Sequence, residues 1–387
     1  MAFALDLEVP ARVEAPAVLA PGPREVSFGT VTGRVSPGTH RVRVVIGGKT
    51  LGSMRVQDIR FELQVALPPR DVAVEVVAED ALGNSASRRI GPVLGLPHEA
   101  QATGARPRED ARLARDVDRL VNDFPGVSAV YVENLRTGAG AAWNAKARFP
   151  AASTVKVGIA IEVLRKLEER PPPGDELDGL LQAMLVDSDN EAANALLSWL
   201  GGSDAAGADA VTATLKALGL TDTEMYGGFL TAQGADPIPL EVEDEPTFAG
   251  KHTSAYDLAR LFRALHLAAL GRGPLAGGLA GNFTPADARF LLFVLAHSAD
   301  TGKLDRHVTD EAVVPHKAGW VTEARHDSGL VYASAGAFVV AVMTWTGDEA
   351  GDASDELAGR VARAALDRFR RGDGTSSGAT AASSSGA

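Results

Sequence analysis

The sequence predicts a multidomain protein: an all-β sandwich followed by an α+β domain, whose antiparallel sheet comes from both ends of that domain and carries a helical lobe. Three observations predict this. Residues 24–92 alternate apolar and polar side chains with period two, the signature of half-buried strands. From 107 onward the spacing becomes helical, and strand-like runs stay near the two ends of that stretch. Charge divides the chain in the same way. Residues 1–100 carry 11 basic and 11 acidic side chains, so the net −12 belongs entirely to residues 101–387. At 387 residues the chain is also longer than the ~150 expected of one compact unit.

Residues 1–23, rich in Pro and Ala without a period, read as an extended lead-in. Within 24–92, Val42 and Val44 alternate with Arg41 and Arg43, and Val72, Val74 and Val76 alternate with Ala73 and Glu75. Phe61, Leu63 and Val65 likewise alternate with Glu62 and Gln64, and turns fall at Gly47-Gly48, Pro68-Pro69 and Gly83-Asn84. Several short strands in so few residues make a small sandwich. The segment from Ala78 to Asn84 resembles the last strand turn of bacterial Ig-like domains, which implies an Ig-like sandwich. It holds no cluster of catalytic residue types, and the expected role is a spacer or a wall-facing binding module. Residues 93–106 are a Gly/Pro/Ala-rich linker.

In the domain expected over 107–371, Leu113, Val117, Leu120 and Val121 share one helical face. Strand-like runs follow at 127–133 and 140–143, then a helical block from 153 to about 298. Three further strand-like runs, 313–316, 328–334 and 337–345, precede a last helix at 354–370 with Leu357, Val361, Ala365 and Phe369 on one face. Residues 372–387 are Gly, Ser, Thr and Ala apart from Asp373, a disordered tail.

Composition excludes several functions. With no cysteine there are no disulfides, thiolate metal sites or cysteine nucleophiles. The negative charge argues against nucleic acid or an anionic membrane as partner. No apolar run approaches the ~18 to 20 residues of a membrane span. The eight histidines show no metal-ligand spacing, so neither metal nor other cofactor is expected. The start, Met-Ala-Phe-Ala-Leu-Asp, lacks a signal peptide's basic region and apolar core. Either an exported form is numbered after cleavage or the protein stays inside.

Chemistry concentrates in three segments. Ser153 opens a helix and Lys156 lies one turn on, the single S-x-x-K of a chain with only eight lysines. Helix-opening N–H groups favour a developing oxyanion. A lysine three positions along reaches the hydroxyl, and acts as a base if burial or a second cation removes its proton. The second segment is Ser188-Asp189-Asn190, between helical stretches. The third is His316-Lys317-Ala318-Gly319-Trp320 on the first late strand. Read singly, Ser188 is a helix N-cap, Lys317 a solvated strand lysine, and His316 and His326 hydrogen-bonded structural histidines.

Together and in this order, the three segments are the signature of the penicillin-recognising serine enzymes. Residues 107–371 resemble a class A β-lactamase-type domain, and 188–194, Leu218-Gly219-Leu220, 253–260 and His326-Asp327-Ser328-Gly329 add to the likeness. The resemblance implies roles. Ser153 attacks a β-lactam or acyl-D-alanine-like amide and becomes acylated, and Lys156 takes or relays its proton. Ser188 shuttles a proton to the leaving nitrogen, and Asn190 holds the substrate amide and steadies Lys156. Lys317 binds the substrate carboxylate and helps keep Lys156 neutral. The N–H groups of Ser153 and Trp320 form the oxyanion hole beside Gly319. Glu245, before Pro246, is the candidate deacylating carboxylate, although an acidic solvated loop explains it equally.

Two further departures mark this chain. Ala318 replaces the usual hydroxyl-bearing residue, and only 35 positions separate Ser153 from Ser188. The leading expectation is β-lactamase-type hydrolysis. The alternatives are a D-alanyl-D-alanine carboxypeptidase, transpeptidase or esterase on cell-wall substrates, and a non-catalytic wall-binding protein. The resemblance places such a protein in the extracellular space, the periplasm or the cell wall.

Overall fold

The computed structural model describes residues 13–18, 26–27, 30–65, 71–95, 107–229, 238–239, 247–248, 250–333, 336–346 and 348–372. Glu245, most of the expected lead-in and linker, and tail residues 373–387 lie outside the described residues.

The amino-terminal part is all-β. One sheet has the order β1-β3-β6, from Val13–Val18, Thr30–Val35 and Arg60–Gln64. A second has the order β2-β8-β7-β4-β5, from Val26–Ser27, Ser85–Gly95, Asp71–Asp80, Thr39–Ile46 and Lys49–Arg55. Val31, Val35 and Phe61 of the first join Val42, Val44, Val74 and Val76 of the second in one buried cluster. The period-two alternation produces this, since only one face of each strand turns inward. The strand β1 falls within the stretch read as lead-in. Pro16 sits where its pairing with β3 shifts register between Glu14 and Ala17, on a sheet edge where a missing N–H costs least.

The second part is α+β. Its sheet runs β9-β11-β10-β19-β18, with β16 and β17 both pairing with β18. The early strands are Arg108–Glu109 (β9), Val127–Asn134 (β10) and Ala139–Trp143 (β11). The late ones are Ala312–Val313 (β16), His316–Val321 (β17), Ala324–Ala333 (β18) and Gly336–Trp345 (β19). Central pairing of β10 with β19 joins the two ends, as the sequence pattern predicts.

Alternate residues serve opposite faces of this sheet. Val130, Val132, Val340 and Val342 pack with Leu113 and Val117 of α1 (Ala111–Asn122) and with Leu357 and Val361 of α8 (Asp352–Gly372). Ala129, Tyr131, Val339 and Ala341 face the helical lobe. That lobe contains α2 (Lys156–Lys166), α3 (Glu176–Val186), α4 (Asn190–Gly201), α5 (Asp204–Ala217), α6 (Ala255–Ala269) and α7 (Pro285–Leu295).

One strand differs from its reading. The run 313–316 is split: β16 ends at Val313, and β17 starts only at His316. Pro315 separates them because it has no N–H for the ladder, and its carbonyl accepts from Leu330 N at 2.9 Å. The Lys317-to-Trp320 segment therefore lies inside a strand that pairs with β18.

Candidate active site

Two short strands, β12 (Phe149–Pro150) and β15 (His252–Thr253), pair antiparallel, and Ala151 N donates to Lys251 O at 2.8 Å. The chain then enters a 3₁₀ turn, Ala152–Val155, which runs directly into α2. Ser153 thus stands in this turn rather than in the helix proper. Residues three apart eclipse in such a turn, which sets Ser153 on the side of Lys156. Thr154 points inward, fully buried, with its hydroxyl donating to Ala151 O at 2.5 Å.

Gly319 packs against the turn. A Cβ there would meet Ser153 N at 2.6 Å and Thr154 N at 2.8 Å. No side chain fits, so the glycine is what lets β17 lie against the amide groups of the Ala152–Val155 turn.

Lys156 is fully buried. Its Nζ donates to Ser188 O at 2.6 Å and to Asn190 Oδ1 at 2.7 Å, with a longer contact to Asp189 O at 3.3 Å. Burial lowers its pKa to about 7, and the charges of Lys317 and Lys251 act in the same direction while Asp189 opposes. A neutral amine has two N–H groups and one lone pair. The two short bonds can take both hydrogens of the amine, whereas the ammonium form donates to all three acceptors.

Ser188 joins the two lysines. Its carbonyl accepts from Lys156, and its Oγ accepts from Lys317 Nζ at 2.8 Å. Its φ of +58° is a left-handed conformation unusual for a residue with a side chain, as is the +47° of Ala152 just before Ser153. Ser188 is not the cap of α4. Asp189 is, accepting from Ala192 N at 2.7 Å. Lys317 is fully buried rather than solvated, with a pKa lowered to about 8 by burial against the opposing pull of Asp300 and Asp327.

The structure therefore brings Lys156, Ser188, Asn190 and Lys317 into one hydrogen-bonded group, with Ser153 and Gly319 packed beside it. Trp320 follows on β17 with its side chain 65% exposed. Ala318 is buried and offers no hydroxyl. His316 Nδ1 bonds Asp327 at 2.8 Å, and His326 Nδ1 accepts from Thr344 N at 3.2 Å, both structural contacts. Among the described residues no group of three His, Cys, Asp or Glu side chains is arranged to hold a metal.

Three residues that the sequence reading left without a role border this group. The ring of Phe229 lies 4.6 Å from both Lys156 Nζ and Lys251 Nζ. Asn194 clamps its backbone, accepting from Phe229 N at 2.6 Å and donating to Phe229 O at 2.9 Å. Lys251 is buried, donates to Gly228 O at 2.6 Å, and has a pKa lowered to about 8 by burial against Asp204. The only signal in the sequence is that Asn194 closes the 188–194 stretch. Nothing local distinguishes Phe229 or Lys251.

A family model described as the beta-lactamase enzyme family matches residues 112–172 and 170–369, well over half the chain. The chain belongs to that family. No curated protein matches this β-lactamase-family chain. Several solved structures share its fold. A mutant of PBP-A, as its acyl-enzyme complex with penicillin G, is 21% identical over 69% of this chain and 99% of its own, with a TM-score of 0.54. A variant of the class A β-lactamase of the last common ancestor of Gram-negative bacteria is 23% identical over 68% and 100%, TM-score 0.54. The class A β-lactamase from Mycobacterium abscessus is 19% identical over 66% and 99%, TM-score 0.54. The chain is thus a serine hydrolase of the β-lactamase and penicillin-binding kind.

Proposed function

We propose that this protein opens a β-lactam amide by acylation of Ser153 and then hydrolyses the acyl-enzyme, with the second half slower than the first. The carrying observation is Lys156, buried and with its pKa lowered to about 7, so that near neutral pH part of it is the free amine able to accept the Ser153 proton. The nucleophile attacks the carbonyl, and the N–H groups of Ser153 and Trp320 hold the oxyanion, donors worth ~3 kcal/mol each in barrier height. The Ser188 hydroxyl passes a proton to the leaving nitrogen. Lys317 supplies the cation for the substrate carboxylate, and Asn190 holds the side-chain amide. No cofactor takes part. The missing hydroxyl at Ala318 weakens penicillin binding by ~1 to 2 kcal/mol.

One observation favours a second reading, a D-alanyl carboxypeptidase or transpeptidase whose acyl-enzyme is long-lived. The group lying over Lys156 is a phenyl ring, and a ring cannot activate water. Glu245 remains the proposed deacylating carboxylate. The amino-terminal part is proposed as an Ig-like sandwich serving as a cell-wall module, and the proposed location is outside the cytoplasm, where both substrate classes occur. Among the described residues no helix is long and apolar enough to cross a membrane.

Mixing the protein with a chromogenic cephalosporin and a penicillin, and following colour and intact mass together, tests these readings. A burst followed by slower turnover, with a Ser153 adduct, is expected. A stable adduct without turnover selects the second reading, and the absence of both overturns acylation itself. A Glu245→Gln variant that turns over normally removes that residue from the mechanism.

A further inference from the structure

Lys156 presents a problem of charge. Its acceptors, Ser188 O and Asn190 Oδ1, would bind an ammonium as well as an amine, and Asp189 favours the charged form. Lys317 on β17 opposes this, but it is also engaged with Ser188 Oγ and with its own Ala318 carbonyl at 3.1 Å. A third cation stands nearby. Lys251 lies immediately before β15, and its carbonyl accepts from Ala151 N, so the pairing that delivers the nucleophile turn also fixes Lys251.

The ammonium of Lys251 and that of Lys156 sit over the same Phe229 ring, each 4.6 Å from its centre. No more than about 9 Å can then separate them, close enough inside a protein for like charges to interact appreciably. A ring face attracts cations, so Phe229 accommodates both without neutralising either. The backbone of Phe229 is held by two hydrogen bonds with the side chain of Asn194 on α4. Charged groups that bear on the pair come from several elements: Lys317 on β17 and Asp189 capping α4 act on Lys156, and Asp204 on α5 acts on Lys251.

We propose that Lys251 is a positioning residue that acts through Lys156: its buried positive charge, held at the same Phe229 ring, disfavours protonation of Lys156 and so keeps the amine ready to take the Ser153 proton. The link to catalysis rests on the acylation reading; the electrostatic link between the two lysines does not. Burial lowers both groups, to about 7 and about 8, so near neutral pH Lys251 is largely charged while Lys156 is divided between its forms. Removing the Lys251 charge makes Lys156 easier to protonate, and less free base remains at a given pH.

The test uses the full chain with ¹³C-labelled lysine, since eight lysines make assignment by substitution practical. The Lys156 ε-carbon is titrated by NMR in wild type, Lys251→Gln, Lys251→Met and Lys251→Arg. Gln keeps an N–H donor for Gly228 O without the charge, and Arg keeps the charge. The expected result is a rise of about one pH unit in the Lys156 midpoint for Gln and Met, and little change for Arg. Acylation by a fluorescent penicillin should fall about tenfold in the Gln variant at pH 6.5, with the loss shrinking as pH rises and Arg restoring the rate. A Lys156 midpoint that stays in place in a folded Gln variant overturns the proposal, as does a loss of acylation that is uniform with pH and shared by Arg. If wild type forms no adduct, the function reading fails while the NMR titration still decides the coupling.

Discussion

At the scale of the residue, the proposed acylation needs two buried lysines in opposite protonation states. Lys156 must be neutral, which requires pH above about 7, and Lys317 must be charged, which requires pH below about 8. Acylation rate is therefore expected to follow a narrow bell between these limits, falling about tenfold per pH unit on the acid side. Because the lysines interact, the two apparent values belong to the group rather than to either residue. Rates with a fluorescent penicillin from pH 5.5 to 9.5 check this, and a flat profile over that range would remove the free-amine mechanism. The same burial has a cost in stability. A lysine lowered from 10.5 to about 7 binds fewer protons folded than unfolded across that window, so stability rises with pH there and the penalty is complete below about 7. Lys156→Met removes the penalty but leaves Ser188 O and Asn190 Oδ1 without their donor. The net expectation at pH 6 is a gain of ~1 to 3 kcal/mol together with a ~10³-fold or greater loss of acylation. Urea unfolding beside adduct formation measures both, and a less stable variant would show that the hydrogen bonds outweigh desolvation.

At the scale of the element, the site is a strand laid against a turn, and Gly319 makes that contact possible. Gly319→Ala would put a methyl group 2.6 Å from Ser153 N. Both partners are backbone, so neither gives way cheaply. Acylation is expected to fall ~100-fold or more, with ~1 to 3 kcal/mol lost in stability. An alanine variant acylating at the wild-type rate would mean that β17 does not fix the nucleophile. The elements themselves were largely legible in the sequence. The helical face at Leu113, Val117, Leu120 and Val121 is the buried face of α1, because one amphipathic period has one packing solution. That the sheet is assembled from both ends of the domain followed from the apolar runs there, but which strands pair, β10 with β19, did not. The boundary of β17 was not legible, since Val313 to His316 reads as one run until Pro315 interrupts its ladder. Within the site, Ser153, Lys156, Ser188, Asn190 and Lys317 could be read because each sits in a short motif. Phe229 and Lys251 could not, because they meet Lys156 only through long-range folding and occur in stretches without a local pattern. Asn194 was visible as a residue, but its task of holding Phe229 needs coordinates.

At the scale of the whole molecule, the described residues form separate hydrophobic cores. One cluster draws only on residues from Val31 to Ala78, with partners out to Ile90. The other two, on the two faces of the larger sheet, draw only on Leu113 through Phe369. The family match, 112 to 369, covers nearly the same span, and every hydrogen bond that builds the Lys156 group joins residues between 156 and 318. Separate cores make separate unfolding units the default, whereas two clusters on opposite faces of one sheet share its strands and melt together. Calorimetry of the full chain is therefore expected to show two transitions, the smaller from the all-β part. A protein beginning at residue 96 is expected to lose only the smaller transition and to acylate Ser153 within about twofold of the full-length rate, since no group of the site is removed. A single shared transition, or loss of acylation in the shortened protein, would show that the amino-terminal all-β part supports the α+β part directly.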